Sequence, residues 1–144
     1  MSFSEVFIAD NNRDEVLKII HSDLFKSIFL NNGITNVIIF GSLASGNFNE
    51  ESDIDIAVIS EDKIPFNIEL NITLELEELL GRSIDFIDIN DESINNMIKI
   101  EALNSREVII KDNLLDEALE LYDRLYKENE EFWYILDKVV LDSE

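Results

Sequence analysis

The sequence has 144 residues, the length of one ordinary domain, and 46% of them are hydrophobic, enough to build a buried core. It has no cysteine, no apolar run that could cross a membrane and no secretory signal pattern, so disulfides are excluded and a cytoplasmic protein is expected. The formal net charge of −21 would repel a phosphate backbone, so we expect basic protein partners rather than direct nucleic-acid binding.

The first predicted element is one amphipathic helix. Apolar residues recur at three- and four-residue spacing from residue 12 to residue 30, and Gly33 offers a C-terminal stop. Residues 1–11 are a short apolar lead-in. The lone His21 cannot form a zinc site by itself, so it is interpreted as a surface or core residue.

The next stretch contains the candidate chemistry. Residues 35–40 are almost continuously apolar, which predicts a strand buried on both faces, and they end in Gly41 and Ser42. After ten more residues, Asp53 and Asp55 open a second strand, where side chains two positions apart point the same way. Two such carboxylates repel each other unless a cation lies between them, and oxygen-only pairs suit Mg²⁺.

A helix and a third strand follow. Residues 66–80 carry a helical apolar stripe, and Gly81 can cap the C-terminus of that helix. Residues 83–89 predict a strand that contains Asp85 and Asp88, which face opposite sides because they lie three positions apart. A charge within a buried strand is costly unless it is paired or binds a metal, although Asp88 also fits a strand-end turn.

The third strand is followed by a helix and a short strand. Asp91 or Ser93 can cap a helix that runs to residue 103 and turns Ile98 inward. Residues 107–110 then predict a short edge strand. These elements define an α+β fold, a small mixed β-sheet flanked by helices.

The last part of the chain is a long helical extension. We expect a domain over residues 1–111 and an acidic extension over 112–144 that packs on it or binds a partner, with one helix or two in residues 114–141. Aromatic side chains often dominate interfaces. The candidate anchors for a partner are Phe132, Trp133 and Tyr134.

The motif in the middle of the chain resembles a known signature. Gly41-Ser42, a ten-residue spacer and the Asp-x-Asp of Asp53 and Asp55 resemble the polymerase-beta-like nucleotidyltransferase superfamily. The local sequence FGS…G…SDIDIAV is similar to its minimal branch, the MNT antitoxins of HEPN/MNT toxin–antitoxin pairs. The resemblance implies the polymerase-beta-like nucleotidyltransferase fold.

The resemblance also implies a site and a reaction. Asp53 and Asp55 would be catalytic ligands of Mg²⁺, and Asp85, which soon follows a Gly-Arg pair, matches the third carboxylate that acts as base or metal ligand. Gly41 and Ser42 would hold the phosphates of ATP. The implied reaction transfers AMP from ATP to a tyrosine of a cognate HEPN ribonuclease toxin, a basic protein, and neutralises it.

One departure from the family pattern leaves two alternatives open. Many minimal nucleotidyltransferases carry an arginine just before the second glycine of the motif, where this chain has Ser45. Its absence and the acidic surface favour a non-catalytic antitoxin that acts by direct binding. The other alternative is transfer to a small molecule such as an aminoglycoside, although we expect no second domain to form its pocket.

Overall fold

The architecture is a mixed four-stranded sheet between two layers of helices. A computed structural model describes residues 13–128, with side chains through residue 124. The strands are β1 Val37–Phe40, β2 Ile54–Val58, β3 Ile84–Asp88 and β4 Glu107–Ile110, in the order β3-β2-β1-β4. The central strand β1 is antiparallel to β2 and β4, whereas β2 and β3 are parallel. The predicted α+β class and mixed sheet are confirmed.

Six helices in the described part cover the two faces of the sheet. They are α1 Arg13–Ile20, α2 Asp23–Leu30, α3 Gly41–Ser45, α4 Phe66–Leu80, α5 Asn96–Leu103 and α6 Asn113–Glu128. Helices α1, α2, α3 and α4 contribute to the core on the face that contains Ile39 and Ile56, and α5 and α6 pack on the face that contains Ile38 and Ala57. Within residues 13–128, no helix has the length and apolar character needed to cross a bilayer.

The strand-turn-strand unit and the helix after it match their predictions closely. Strand β1 is buried along its whole length, as its continuous apolar sequence predicts. Helix α4 spans the predicted residues, and Gly81 caps it in the left-handed conformation at φ 65°. The predicted edge strand at residues 107–110 is β4, at one end of the sheet.

The prediction of a single N-terminal helix is wrong. The helix breaks after Ile20, and a second helix starts at Asp23 with Ser22 as its N-cap, whose hydroxyl accepts a hydrogen bond from the Phe25 amide at 3.3 Å. Because the break changes which residues face the sheet, Phe25 is fully buried and Leu24 is 60% exposed. The predicted lead-in, residues 1–11, lies outside the described residues.

The predicted start of the helix before β4 is also wrong. Asp91 does not cap it but closes a tight turn by accepting hydrogen bonds from the Ser93 amide and hydroxyl. Helix α5 begins later, and Asn95 caps it through a bond from the Met97 amide at 2.7 Å. The later start leaves Ile98 39% exposed rather than buried.

A buried asparagine joins the start of α6 to the sheet. Asn36 is fully buried before β1, and its side-chain amide donates to the Ile59 carbonyl at 3.1 Å and to the Asp112 carboxylate at 2.7 Å. Its side-chain oxygen accepts from the backbone amides of Asp112 and Leu115. Both polar atoms of its side chain are therefore engaged where three chain segments meet.

We expect Asn36→Ala to lower the free energy of unfolding by about 2–4 kcal/mol, because buried polar groups would lose their partners. The measurement is urea unfolding followed by circular dichroism. Asn32→Ala is the control, since this exposed side chain makes one bond to the Ile28 carbonyl and its loss should cost less than about 1 kcal/mol. Equal losses in the two variants would show that Asn36 is not a central contact.

Candidate active site

Two carboxylates lie side by side where β2 and β3 begin. The strands run parallel with Asp55 paired to Asp85, and on its other side Asp55 pairs with Phe40, the last residue of β1. Asp55 lies on the sheet face that α5 and α6 cover, and Asp53 immediately precedes β2 and acts on Asp55 through its charge. The structure therefore brings the three aspartates predicted from the sequence to one end of the sheet.

The glycine of the motif lies directly against this group. Gly41 begins α3 immediately after β1, and its φ of 69° lies in the left-handed region. A Cβ atom placed on Gly41 would be only 1.9 Å from Oδ2 of Asp55. Ser42 follows in the first turn of α3, and Gly46 caps the C-terminus of this helix. Gly41 is therefore required both for the turn and for the space that the Asp55 carboxylate occupies.

The environment raises the pKa of Asp55 to about 6. Burial is the largest cause, followed by the charge of Asp85 and a hydrogen bond between the two carboxyl groups. The charges of Asp53 and Glu101 add to the effect. Asp55 is thus a carboxyl group in a crowded acidic cluster, in which a proton or another positive charge is favourable.

This shift predicts a stability that falls as the pH rises. Without divalent ions, a carboxyl group with a raised pKa favours the folded state below its ordinary pKa of 3.8, and that contribution is lost as the pH passes 6. After allowance for solvent screening, the loss should be about 1–2 kcal/mol. We therefore expect the free energy of unfolding of Asp55→Asn, measured relative to that of wild type, to be about 1–2 kcal/mol higher at pH 7 than at pH 4.

Urea unfolding in EDTA at both pH values measures this difference. Asp62→Asn is the matched control, because it removes an exposed carboxylate that follows β2 at the opposite end of the sheet. A gain for Asp55→Asn that is the same at both pH values would contradict the raised pKa.

The donor set suits Mg²⁺, but the protein alone does not complete a cage. Among the side chains that the structure describes, residues 13–124, no three acidic or histidine side chains converge closely enough to hold a metal ion by themselves. Mg²⁺ is usually held by one or two carboxylates together with phosphate oxygens and water, so an incomplete cage of oxygen ligands fits this ion. The repulsion around Asp55 points the same way, because a cation there would relieve it.

The other polar residues singled out in the sequence have different surroundings. Asp88 is 1% exposed on the opposite sheet face and accepts hydrogen bonds from the Ile64 and Asn90 amides, so its role is structural. His21 is exposed and lies 3.3 Å from a carboxylate oxygen of Glu107. Ser45 is exposed at the end of α3. None of the three joins the acidic cluster.

Three residues near the site were not predicted from the sequence. The negative charge of Glu101, on helix α5, helps to raise the pKa of Asp55 on the sheet. Arg82 donates to carbonyls of the loop before β2, and Arg13 donates to the Leu43 carbonyl at 2.7 Å. The arginines recognise backbone oxygen atoms, which leave no pattern in the sequence. Only the Gly-Arg pair before β3 could have drawn attention to Arg82.

Fold, motif and acidic cluster together define a class of protein. The profile of the family "Polymerase beta, Nucleotidyltransferase" matches residues 24–115. The chain belongs to this family, and the match covers the strands, the Gly-Ser turn and the three aspartates of the site. The chain therefore carries a nucleotidyltransferase domain.

Individual relatives agree with this assignment. The chain is 38% identical over 78 residues to "Putative protein adenylyltransferase MJ0435" of Methanocaldococcus jannaschii, a stretch that spans 54% of this chain and 81% of the relative. It shares its fold with a chain in the crystal structure of a toxin–antitoxin with AMP-PNP, with TM-score 0.63, 19% identity and coverage of 90% and 98% of the two chains.

A third similar chain belongs to the structure of a tri-AMPylated Shewanella oneidensis HEPN toxin in complex with MNT antitoxin. The TM-score is 0.57 at 19% identity, and the match covers 84% of this chain and 97% of that one. At this identity the likeness establishes the fold that these chains share.

Proposed function

We propose that this protein is a Mg²⁺-dependent protein adenylyltransferase that acts as an antitoxin. It transfers AMP from ATP to a tyrosine of a HEPN-type ribonuclease and so neutralises it. The observation that carries the proposal is the acidic cluster, in which Asp55 lies between Gly41 and Asp85 and is affected by the charge of Asp53. The adenylyltransferase name of the relative and the AMPylated toxin in a similar structure support the choice of substrate.

Each residue has a task in this proposal. Gly41 and Ser42 bind the ATP phosphates at the start of α3, and Asp53 and Asp55 hold Mg²⁺, which would neutralise phosphate charge when bound. Asp85, the exposed carboxylate beside Asp55, accepts the proton of the tyrosine hydroxyl. The tyrosine oxygen forms a bond to the α-phosphorus while the bond from that phosphorus to the bridging oxygen breaks, and pyrophosphate leaves.

Label transfer tests the enzymatic proposal. The protein is incubated with Mg²⁺, the protein encoded beside its gene and ATP labelled at the α-phosphate or, separately, at the γ-phosphate. We expect α-label alone on the partner, lost on Tyr→Phe substitution of the modified residue and lost with Asp53→Ala. Label from the γ-phosphate would instead indicate phosphorylation, and no label from either nucleotide would reject nucleotidyl transfer to this partner.

Direct binding is the second candidate, and the charge of the protein favours it. The net charge of −21 attracts a basic partner without any chemistry, and exposed Ser45 supplies no positive charge for phosphates. An Asp53→Ala, Asp55→Ala double variant separates the two proposals. If that variant still neutralises the toxin fully, binding is sufficient; if toxicity returns while the complex persists, transfer is required.

The C-terminal extension, residues 112–144, is the proposed partner-binding segment. The first turn of α6 is fixed on the core, because Leu115 is 2% exposed and belongs to the cluster of α5 residues Ala102 and Leu103. Further along α6, the exposed side chains are largely acidic, as a basic partner would require. They include Glu117, Glu120 and Asp123. The predicted anchors Phe132, Trp133 and Tyr134 lie outside the described residues.

A further inference from the structure

Arg82 is a buried arginine in the turn between α4 and β3. Its side chain and backbone are together only 7% exposed. Nη1 donates to the carbonyls of Asn49 and Ser52, both at 2.8 Å, and the guanidinium carbon lies 4.3 Å from the ring centroid of Phe48. Burial lowers the pKa of Arg82, an effect that the charge of Glu50 opposes. A buried guanidinium needs such contacts to offset the loss of water.

Arg82 bonds to the loop at residues 47–52. The other hydrogen bonds described for this loop are made within it. The Ser52 amide donates to the Asn49 carbonyl at 3.1 Å, and the Asn49 amide donates to the Ser52 hydroxyl at 3.0 Å. The Glu51 amide donates to the Asn49 side chain at 2.8 Å. These bonds shape an exposed turn, whereas the bonds from Arg82 attach that turn to the segment that leads into β3.

Asp53 follows directly from this loop. The residues before and after it, Ser52 and Ile54, bond to the consecutive residues Arg82 and Ser83. The Ser52 carbonyl accepts from the Arg82 side chain, and the Ile54 amide donates to the Ser83 carbonyl at 3.0 Å. The peptide groups on either side of Asp53 are therefore fixed against the segment that leads into β3, the strand that contains Asp85.

We propose that Arg82 is a positioning residue that holds Asp53 in register with Asp55 and Asp85. It acts through the loop at residues 47–52, because its guanidinium donates to backbone carbonyls and lies against Phe48. Its importance for catalysis rests on the proposed nucleotidyl transfer, whereas its effect on the loop does not.

Hydrogen exchange tests the effect on the loop without any activity. Arg82→Met removes the donors at similar length, and Arg82→Lys keeps the charge but not the planar group. We expect exchange of the Ser52 and Ile54 amides to accelerate about tenfold or more in Arg82→Met, and less in Arg82→Lys. Arg106→Met is the matched control, because Arg106 is exposed.

Amides of the central strand β1 report whether each variant is folded. Unchanged exchange of the loop amides in an Arg82→Met protein whose β1 amides stay protected would overturn the proposal. If Arg82→Met fails to fold, the same comparison is made with Arg82→Lys, where unchanged loop exchange overturns it equally.

Dependence of the transfer rate on Mg²⁺ distinguishes positioning from general stability. A misplaced Asp53 should raise the Mg²⁺ concentration for half-maximal rate about five- to tenfold in Arg82→Lys, with much of the rate recovered at saturation. A purely structural role would leave that concentration unchanged and lower the rate with the folded fraction, which would reject positioning. If wild type transfers no label, the proposed function fails, and hydrogen exchange still decides the role of Arg82 in the loop.

Discussion

Asp55→Asn should abolish most transfer of AMP while making the protein more stable. Removing a carboxylate that the proposal assigns to Mg²⁺ should reduce the rate by at least about 100-fold, since even supporting residues of metal sites commonly contribute 10–100-fold. The same substitution removes a carboxylate whose burial, together with repulsion from neighbouring carboxylates, raises its pKa to about 6, so the free energy of unfolding at neutral pH should increase. Rate assays with labelled ATP and urea unfolding measure the two effects.

Asp88→Asn is the matched control for this prediction. It should lower the stability of the protein and leave the transfer rate nearly unchanged. Asp88 accepts bonds from two backbone amides at 2.7 and 2.9 Å, and the amide group of asparagine can replace only one of its oxygens as an acceptor. We expect a loss of about 1–3 kcal/mol in stability with little change in rate per folded molecule. A stable Asp55→Asn protein with normal activity would remove Asp55 from the proposed site.

Gly41→Ala should also reduce transfer strongly, for a steric reason. The added methyl group would lie 1.9 Å from Oδ2 of Asp55, so either the carboxylate or the turn must move. Because a displaced group at a reacting centre commonly costs about 100-fold, we expect a loss of that order in rate. The positive φ adds a backbone cost of about 1 kcal/mol in stability.

Gly81→Ala isolates the backbone cost. Gly81 has a similar φ of 65°, but a Cβ atom there would have no atom within 4 Å apart from those of its chain neighbours. We expect it to lose about 1 kcal/mol of stability and to keep its rate. If both glycine variants show the same rate, contact between Gly41 and Asp55 does not control the site.

Local patterns predicted the elements that depend on local signals. Residues 37–40 and 54–58 are strands because apolar and β-branched residues dominate them, and α4 ends where Gly81 permits the left-handed conformation. The alternation of a strand also predicted that Asp53 and Asp55 act together, and the charge of Asp53 does affect Asp55. The part played by Asp85 came from the family resemblance, because the parallel pairing of β2 with β3 is a contact between distant segments.

The remaining features depend on the tertiary structure. Helix α2 starts a new turn at Ser22, although the apolar spacing around it continues, because the cap competes with the helical bond. Arg82 is bound by backbone carbonyls, which every residue type possesses, so its partners could not be identified from the sequence. The contribution of Glu101 requires α5 to lie over the sheet, which periodicity alone does not determine.

The distance between the two ends of the sheet has a consequence for engineering this protein. Asn36 bonds to Ile59, which directly follows β2 and lies four residues after Asp55, a separation of about 13 Å at the rise of a strand. The end of the sheet at Asp55 thus tolerates repulsion among like charges, while the end at Asn36 is held by several hydrogen bonds. At this separation, energetic effects of substitutions should be additive, so Asp55→Asn and Asn36→Ala combined should show the sum of their separate stability changes.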